Sequence, residues 1–259
     1  LRIPSNLAIR VHDGLDPQLL RRAVSYLFED GTGPSYTCSK GLDEGYARNG
    51  VPLALARLRA KVGCNWTALP GIEYPLQDVT RVCLVSPLLH ALHDVTQDGA
   101  PEPTMDALWD RYAHHLRCAV QAVQRGKDWH MAHQADNSPE IVLNLFCHGP
   151  IERGIDVSAG GVDIYDLAMD AVGLATVADS LAALQEVVFT QKKYPLLTVI
   201  EAMKNNFAGD EVLRAELLKA PKFGNDQPLP DDYANVVAHI YHDAVTKHRN
   251  TRGGGYVPG

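Results

Sequence analysis

The chain has 259 residues, of which 46% are hydrophobic, enough for a globular fold with a sizeable core. Its net charge of −7 and the lack of a lysine and arginine cluster argue against a nucleic-acid-binding surface. No apolar run approaches the length of a membrane span, and the five cysteines include no Cys-x-x-Cys pair of the kind found in zinc ribbons. These features predict a cytoplasmic protein that binds neither nucleic acid nor membranes.

Predicted helices alternate with short predicted strands along the chain. Each helix start is marked by a capping side chain, by a proline suited to the first turn, or by both. The apolar stripe after Thr104 predicts a helix to about Gln124, and the residues after Pro139 predict one through Phe146. Short strands separated by helices are typical of a parallel sheet or a βα barrel. The predicted helix starts are Asp16-Pro17, Thr104, Ser138-Pro139, Asp179, Pro195, Asp210 and Pro230, and the predicted strands are residues 7–11, 61–64 and 162–164.

Four stretches, in this chain order, resemble the glycyl radical enzymes of the pyruvate formate-lyase superfamily. They are residues 61–74 (KVGCNWTALPGIEY), 152–165 (ERGIDVSAGGVDIY), 175–226 (ATVADSLAAL through KFGND) and 251–259 (TRGGGYVPG). The resemblance implies a helix-rich α/β fold in which residues 1–259 form one portion of a ten-stranded βα barrel. The C-terminal glycyl radical domain of the family is absent from this chain.

Members of this family are several times longer than the chain. An internal piece of a longer enzyme, or a truncated homologue, is therefore expected. A partial barrel has open strand edges, so the isolated chain should be marginally stable or prone to aggregation.

Cys64 is the predicted catalytic residue. Judged by its neighbours alone it is an ordinary buried thiol. However, Gly63-Cys64 followed by Pro70-Gly71-Ile72-Glu73-Tyr74 resembles the Gly-Cys loop of the family, and the resemblance implies that Cys64 carries a transient thiyl radical. A sulfur radical can take a hydrogen atom from an unactivated carbon and later return it. The thiol must then be protonated at rest, away from cations and helix N-termini that lower a cysteine pKa.

The residues that follow Cys64 depart from the pattern of many family lyases. Those enzymes carry Cys-x-Glu, in which the glutamate is a general acid or base, whereas this chain has Trp66 at that position. Glu73 is the nearest acid of the motif, and it is interpreted as either structural or active in proton transfer. Trp66 is either a core aromatic or a wall of the substrate pocket, and Asn65 either caps the loop or binds substrate.

Further candidates for the substrate pocket follow the Gly160-Gly161 pair, which is interpreted as a structural turn. They are Tyr165, Asp166 and Asp170, at the end of a predicted strand and in the loop after it. Three histidine pairs have i, i+3 spacing, but none has a third ligand at a suitable distance along the sequence, so neither a metal site nor a bound cofactor is predicted. These pairs are His90/His93, His130/His133 and His239/His242.

The resemblance implies a glycyl-radical lyase. Cys64 would abstract hydrogen from a small organic substrate, and a carbon-carbon or carbon-heteroatom bond would then break by elimination or decarboxylation. One alternative is a radical synthase that adds an apolar molecule to fumarate, and another is a truncated, non-catalytic homologue. The resemblance also implies a separate radical S-adenosylmethionine activating enzyme, a homodimer, and a stored glycyl radical whose glycine is not in this chain.

Overall fold

The structure is a computed structural model that describes residues 7–31, 34–62, 66–76, 80–97 and 103–259. The strands of these residues are β1 (Ala8–Val11), β2 (Ser35–Cys38), β3 (Ala60–Val62), β4 (Trp66–Ala68), β5 (Glu73–Leu76), β6 (Arg81–Cys83), β7 (Ile164–Val172) and β8 (Tyr256–Pro258). The α-helices are α1 (Pro17–Asp30), α2 (Ser39–Arg48), α3 (Leu53–Ala56), α4 (Val85–Asp94), α5 (Met105–Asn137), α6 (Pro150–Arg153), α7 (Leu174–Ala183), α8 (Leu196–Lys204), α9 (Glu211–Lys219) and α10 (Pro228–Thr246). Within the described residues, no helix is both long and apolar enough to cross a membrane.

The chain divides into two compact units. The first comprises Leu1–Pro75 and Ser138–Tyr165, and the second comprises Leu76–Asn137 and Asp166–Gly259. Strand β7 belongs to both, because its first two residues lie in the first unit and the rest in the second. The interpretation of residues 1–259 as one partial barrel domain stays a prediction.

The first unit contains a parallel strand pair and an antiparallel hairpin. Strands β1 and β2 are parallel, and β3 and β4 form the hairpin. Helix α1 begins where the sequence predicts, since the Asp16 carboxylate accepts a hydrogen bond of 2.8 Å from the Gln18 N–H and Pro17 occupies the first turn. The predicted strand over residues 7–11 is also confirmed.

The second unit is built around β7. Strands β6 and β8 both pair with it in parallel, and β8 consists of the Tyr-x-Pro part of the C-terminal motif. The Tyr241 hydroxyl on α10 donates to the Met169 carbonyl of β7 at 2.7 Å. On α5, the buried Lys127 ammonium donates to the Ala168 carbonyl of the same strand, and burial lowers the pKa of Lys127 to about 8. Polar groups of two helices therefore bond the backbone of the central strand.

Helix α5 is longer than predicted. It continues past Gln124 to Asn137, because its buried stripe is extended by two long polar side chains and by Met131. The Gln124 amide donates to the Val245 carbonyl at 2.8 Å, and Lys127 reaches the backbone of β7. A hydrophobic pattern does not identify Gln124 and Lys127 as buried, because they are polar residues. Their aliphatic chains are nevertheless buried while their polar ends donate to carbonyl groups.

The helix predicted from Ser138 through Phe146 is wrong. This segment forms a turn followed by a short 3₁₀ helix, Leu143–Leu145. The Asp156 carboxylate accepts hydrogen bonds from the Glu140 N–H (3.0 Å) and the Asn144 amide (2.7 Å), so tertiary polar contacts determine the backbone path. Three of the apolar side chains that suggested a helix, Ile141, Leu145 and Phe146, are exposed instead.

Two predicted boundaries in the C-terminal half are also wrong. Helix α7 begins at Leu174 rather than at Asp179, whose carboxylate accepts the Phe223 N–H at 2.7 Å, and a π-helical segment, Leu184–Thr190, continues it. Strand β7 begins only at Ile164 and has nine residues, because pairing with β8 at residues 167–169 and with β6 at residues 170–172 extends it past the predicted end. The helix starts predicted at Pro195 and Asp210 are confirmed, and the start predicted at Pro230 falls in the first turn of α10.

Candidate functional site

The β3–β4 hairpin brackets the predicted catalytic cysteine. Its antiparallel register pairs Val62 with Trp66 and Lys61 with Thr67. Cys64 and Asn65 lie in residues 63–65, outside the described residues, so their proposed roles stay predictions. The Lys61 ammonium donates to the Thr67 hydroxyl at 2.9 Å, and burial lowers the pKa of that ammonium group. The half-buried Trp66 is placed by this backbone pairing directly after the predicted cysteine loop.

Arg59 anchors the start of the hairpin. Its guanidinium is buried, forms an ion pair with Asp43 on α2, and donates to the carbonyls of Ala56 (2.8 Å) and Ser39 (3.1 Å). The hydrogen bond from Arg59 lowers the pKa of Asp43. The exposed Arg57 also contacts this carboxylate, at 3.2 Å. Sequence reasoning missed this cluster, because nothing in the local pattern joins an arginine before β3 to an aspartate on α2.

Glu73 closes the turn that follows the hairpin. Its buried carboxylate accepts a hydrogen bond of 2.8 Å from the Leu69 N–H, and its own N–H donates to the Leu69 carbonyl at 3.0 Å. Gly71 has a φ of 76°, a left-handed conformation that suits glycine, and its carbonyl accepts the His148 N–H at 2.7 Å. The Glu73 carboxylate therefore stabilises the backbone immediately after β4.

Tyr165 lies in the core of the first unit. Its ring stacks on that of Tyr74 with a centroid distance of 5.7 Å, and its hydroxyl donates to the Ser158 carbonyl at 3.2 Å. The Tyr74 hydroxyl donates to the Glu140 carboxylate at 3.1 Å. The turn predicted at Gly160-Gly161 is present, and Gly160 has a φ of 93°.

Asp166 lies in the second unit, against the C-terminal glycine run. Its carboxylate accepts a hydrogen bond of 2.9 Å from the Gly255 N–H. Burial raises the pKa of Asp166, and the Gly255 hydrogen bond and the charge of Arg249 oppose this rise only in part. Asp170 is buried in β7, with one carboxylate oxygen 3.7 Å from the Arg81 guanidinium.

The raised pKa of Asp166 predicts how an Asp166→Asn variant will behave. Between the ordinary carboxyl pKa and the raised one, the folded state binds more protons than the unfolded state, so the free energy of unfolding falls as pH rises. Asparagine retains an oxygen for the Gly255 N–H but carries no charge. We expect this substitution to increase the free energy of unfolding at pH 7 by about 1 kcal/mol or less, with no gain near pH 3. Chemical denaturation from pH 3 to 7 measures this difference, and a gain independent of pH would contradict it.

The histidine pairs lie on helices, His90/His93 on α4, His130/His133 on α5 and His239/His242 on α10. Across the described part of the chain, no three or more histidine, cysteine or acidic side chains form a group suited to a metal ion. The cysteines described, Cys38, Cys83, Cys118 and Cys147, are free thiols.

Comparisons with known proteins identify a family that covers nearly the whole chain. The family described as pyruvate formate lyase-like matches residues 3–259. An isethionate sulfite-lyase of Oleidesulfovibrio alaskensis is 45% identical over 285 residues, covering 98% of this chain and 33% of that protein. A (2S)-3-sulfopropanediol dehydratase of Klebsiella oxytoca is 25% identical over 268 residues, covering 98% and 32% respectively. The chain thus spans about a third of the length of these curated relatives.

Solved structures show the same fold. A glycyl radical enzyme from Archaeoglobus fulgidus superposes with a TM-score of 0.88 at 26% identity, covering 100% of this chain and 34% of that one. The B12-independent glycerol dehydratase of Clostridium butyricum, at 23% identity, has a TM-score of 0.88 over 98% of this chain and 34% of its own. The predicted fold class, a helix-rich α/β portion of a glycyl radical enzyme barrel, is confirmed.

Proposed function

This chain belongs to the pyruvate formate lyase-like family, and on that premise we propose that the protein is a glycyl-radical lyase with Cys64 as its hydrogen-abstracting residue. The family match over residues 3–259, which includes the Gly63-Cys64 motif, is the observation that carries the proposal. Relatives named as dehydratases and sulfite-lyases support elimination from a small organic substrate, and a relative named as an indoleacetate decarboxylase supports decarboxylation as the alternative.

The proposed reaction balances at the sulfur atom. The Cys64 thiyl radical takes a hydrogen atom from a substrate carbon, so that a C–H bond breaks and an S–H bond forms. The bond from the adjacent carbon to the leaving group then breaks, the leaving group departs with the electron pair and takes up a proton, and a substrate hydroxyl on the radical carbon loses a proton. The hydrogen atom then returns from sulfur to the resulting product radical. The glycyl radical of the full-length protein would supply the unpaired electron, after generation by a radical S-adenosylmethionine activating enzyme.

The hairpin geometry supports this role for the loop. Radical transfer requires that the sulfur approach one substrate carbon closely and reproducibly, which calls for a loop held on rigid elements. Here the strand before residues 63–65 follows the Arg59 anchor, and the strand after them leads into the turn closed by Glu73. The described contacts therefore restrain the chain on both sides of Cys64.

Glu73 is assigned a positioning role in this proposal. Its carboxylate accepts a hydrogen bond from the Leu69 N–H, and this contact involves no proton transfer. With Trp66 in place of the Glu of Cys-x-Glu, proton transfer to a leaving group would fall to another residue of the full-length protein.

Replacement of Glu73 by glutamine and by leucine separates the two roles. In Glu73→Gln the side-chain amide oxygen can still accept the Leu69 N–H but the amide cannot transfer a proton, so we expect turnover close to that of the unmodified protein. Leucine leaves the buried N–H unsatisfied and should lower the free energy of unfolding by about 1–3 kcal/mol. Steady-state kinetics and chemical denaturation measure both effects. A loss of about 10²–10⁴-fold in kcat for Glu73→Gln alone would instead assign proton transfer to Glu73.

A second function, radical addition to an alkene such as fumarate, is favoured by one observation. Trp66 replaces the acid that elimination uses, and its aromatic ring suits an apolar substrate. Addition forms a carbon-carbon bond without a leaving group, so it needs no general acid. Its product has the summed mass of both reactants, whereas elimination gives two smaller products.

The test of the proposed function is anaerobic activation of the full-length protein. The protein would be incubated with its activating enzyme, S-adenosylmethionine and a reductant, and followed by electron paramagnetic resonance and by mass spectrometry of products. We expect an organic radical signal, and a substrate deuterated at the carbon that loses hydrogen should give a product that retains this deuterium, because Cys64 returns the atom that it abstracts. A protein that gains no radical under conditions that activate the isethionate sulfite-lyase would overturn the proposal.

A further inference from the structure

A cavity is formed where four helical segments of the second unit meet. Its volume is about 650 Å³, which is in the range of small-molecule sites in proteins. The described residues that line it come from the end of α4, the start of α5, the end of the π-helical segment and the start of α8. Among the described residues, none of the candidates for the catalytic site lines this cavity.

The wall of the cavity is mainly apolar and partly aromatic. Phe189 and Tyr194 contribute aromatic rings, Met105 contributes a thioether, and Leu196 and Leu197 contribute aliphatic side chains. Leu197 is 53% exposed, whereas Leu196 beside it is buried. Aromatic and thioether side chains make favourable contacts with aromatic rings. The wall therefore suits a ligand with an aromatic body.

Lys192 is the only charged residue among the described residues of the lining. Its side chain is exposed and has no ion-pair partner in the described part of the chain, whereas that of Lys193 pairs with Glu216 at 2.6 Å. The backbone of Lys192 has a φ of 50°, a left-handed conformation that glycine or asparagine adopts more readily than lysine. A lysine in such a conformation indicates a role for its side chain at the cavity.

Helix α8 adds to the positive potential at the cavity. It begins directly after Pro195, which forms no side-chain capping hydrogen bond. By contrast, Thr104 caps the first turn of α5, because its hydroxyl accepts the Ala107 N–H at 3.1 Å. The N-terminus of a nine-residue helix carries a partial positive charge, which no side chain of α8 offsets by capping. An anionic group beside Lys192 is therefore favoured by two features of the lining.

We propose that this cavity binds a small aromatic carboxylate. The ring of the ligand lies against Phe189 and Met105, and its carboxylate lies beside the Lys192 ammonium. The charge of Lys192 complements the carboxylate, and the apolar wall favours a ligand with a ring over an inorganic anion. This inference is independent of the proposed radical function, because it uses neither Cys64 nor a stored radical.

The test is equilibrium dialysis of the full-length protein without radical activation. The probes are 2-naphthoate, its neutral analogue 2-naphthamide, and inorganic phosphate. We expect 2-naphthoate to bind about fivefold more tightly than 2-naphthamide, and phosphate to bind more weakly than either. Added KCl should weaken the binding of 2-naphthoate but not that of 2-naphthamide, because salt screens the ion pair. Equal affinities for the two naphthalene compounds, or no binding of 2-naphthoate at millimolar concentration, would overturn the proposal.

A pair of lysine variants tests the source of the charge. Lys192→Asn removes the ammonium but retains a residue that tolerates the left-handed backbone, so it should lower the affinity for 2-naphthoate about fivefold without loss of stability. Lys193→Asn is the matched control, because Lys193 does not line the cavity, and it should leave this affinity unchanged. Equal losses of affinity in the two variants, or none in Lys192→Asn, would contradict the role of Lys192.

A third variant tests the location of the site. Leu197 is exposed at the cavity, so Leu197→Trp should be tolerated by the fold while its indole fills part of the space. We expect this variant to lose binding of both 2-naphthoate and 2-naphthamide, with its free energy of unfolding unchanged. Binding of 2-naphthoate to folded Leu197→Trp as tight as to the unmodified protein would show that the ligand binds elsewhere.

Discussion

Replacement of Cys64 by serine is expected to abolish turnover of the full-length protein while leaving its stored radical in place. An oxygen-centred radical at serine is far harder to generate from its hydroxyl than a thiyl radical is from a thiol, so transfer to position 64 should stop. We expect kcat to fall by at least about 10³-fold, equivalent to about 4 kcal/mol in activation free energy. Product formation and the organic radical signal should be measured on the same activated sample.

The matched control for this variant is Cys83→Ser, which alters an exposed cysteine at the end of β6. It should retain turnover, because Cys83 has no place in the proposed radical reaction. Turnover by Cys64→Ser near that of the unmodified protein would sink the proposed catalytic role. If Cys64→Ser lost both the radical signal and its folded state, Cys64→Ala would be tested in its place. Product formation and the organic radical signal would again be measured on the same activated sample.

Replacement of Arg59 by methionine is expected to have the largest effect on stability. The guanidinium side chain is only 2% exposed, and it bonds the Asp43 carboxylate and the carbonyls of Ala56 and Ser39. Methionine fills much of the same volume but donates no hydrogen bond, which leaves two backbone carbonyls without this partner. We expect the free energy of unfolding to fall by about 2–4 kcal/mol, measured by chemical denaturation of the full-length protein.

Arg57→Met is the control, because both arginines contact the Asp43 carboxylate but the Arg57 side chain is 61% exposed. An exposed ion pair contributes little, so this change should cost less than about 1 kcal/mol. Arg59→Met should also reduce turnover more than Arg57→Met does, since Arg59 anchors the start of the hairpin in the proposed site. Equal losses of stability in the two variants would contradict the prediction that burial of the guanidinium determines its contribution to the free energy of unfolding.

Local signals in the sequence predicted the starts of several helices. At Asp16-Pro17 a capping carboxylate and a proline act within one turn, and the structure has the helix where these residues place it. Pro195 and Asp210 likewise precede α8 and α9. Such signals work because capping involves backbone groups only two or three residues away.

Predictions were wrong where groups distant in the sequence determine the backbone conformation. The residues after Ser138 have enough apolar side chains for a helix, yet the Asp156 carboxylate holds Glu140 and Asn144 in a turn. Strand β8 was not predicted at all, because a short Gly-Gly-x-Tyr-x-Pro run becomes a strand only by pairing with β7. In both cases the partner is supplied by the tertiary fold, and local propensity gives no sign of it.

The sequence by itself determined the family, the fold class and the candidate cysteine, because motifs such as Gly63-Cys64 and the C-terminal glycine run are local and specific in their order along the chain. Only the tertiary structure showed that the Glu73 carboxylate caps the Leu69 N–H and that Arg59 is buried against Asp43. Hydrogen bonds and desolvation depend on which groups are in contact in the folded protein, and the spacing of residues along the chain does not specify those contacts.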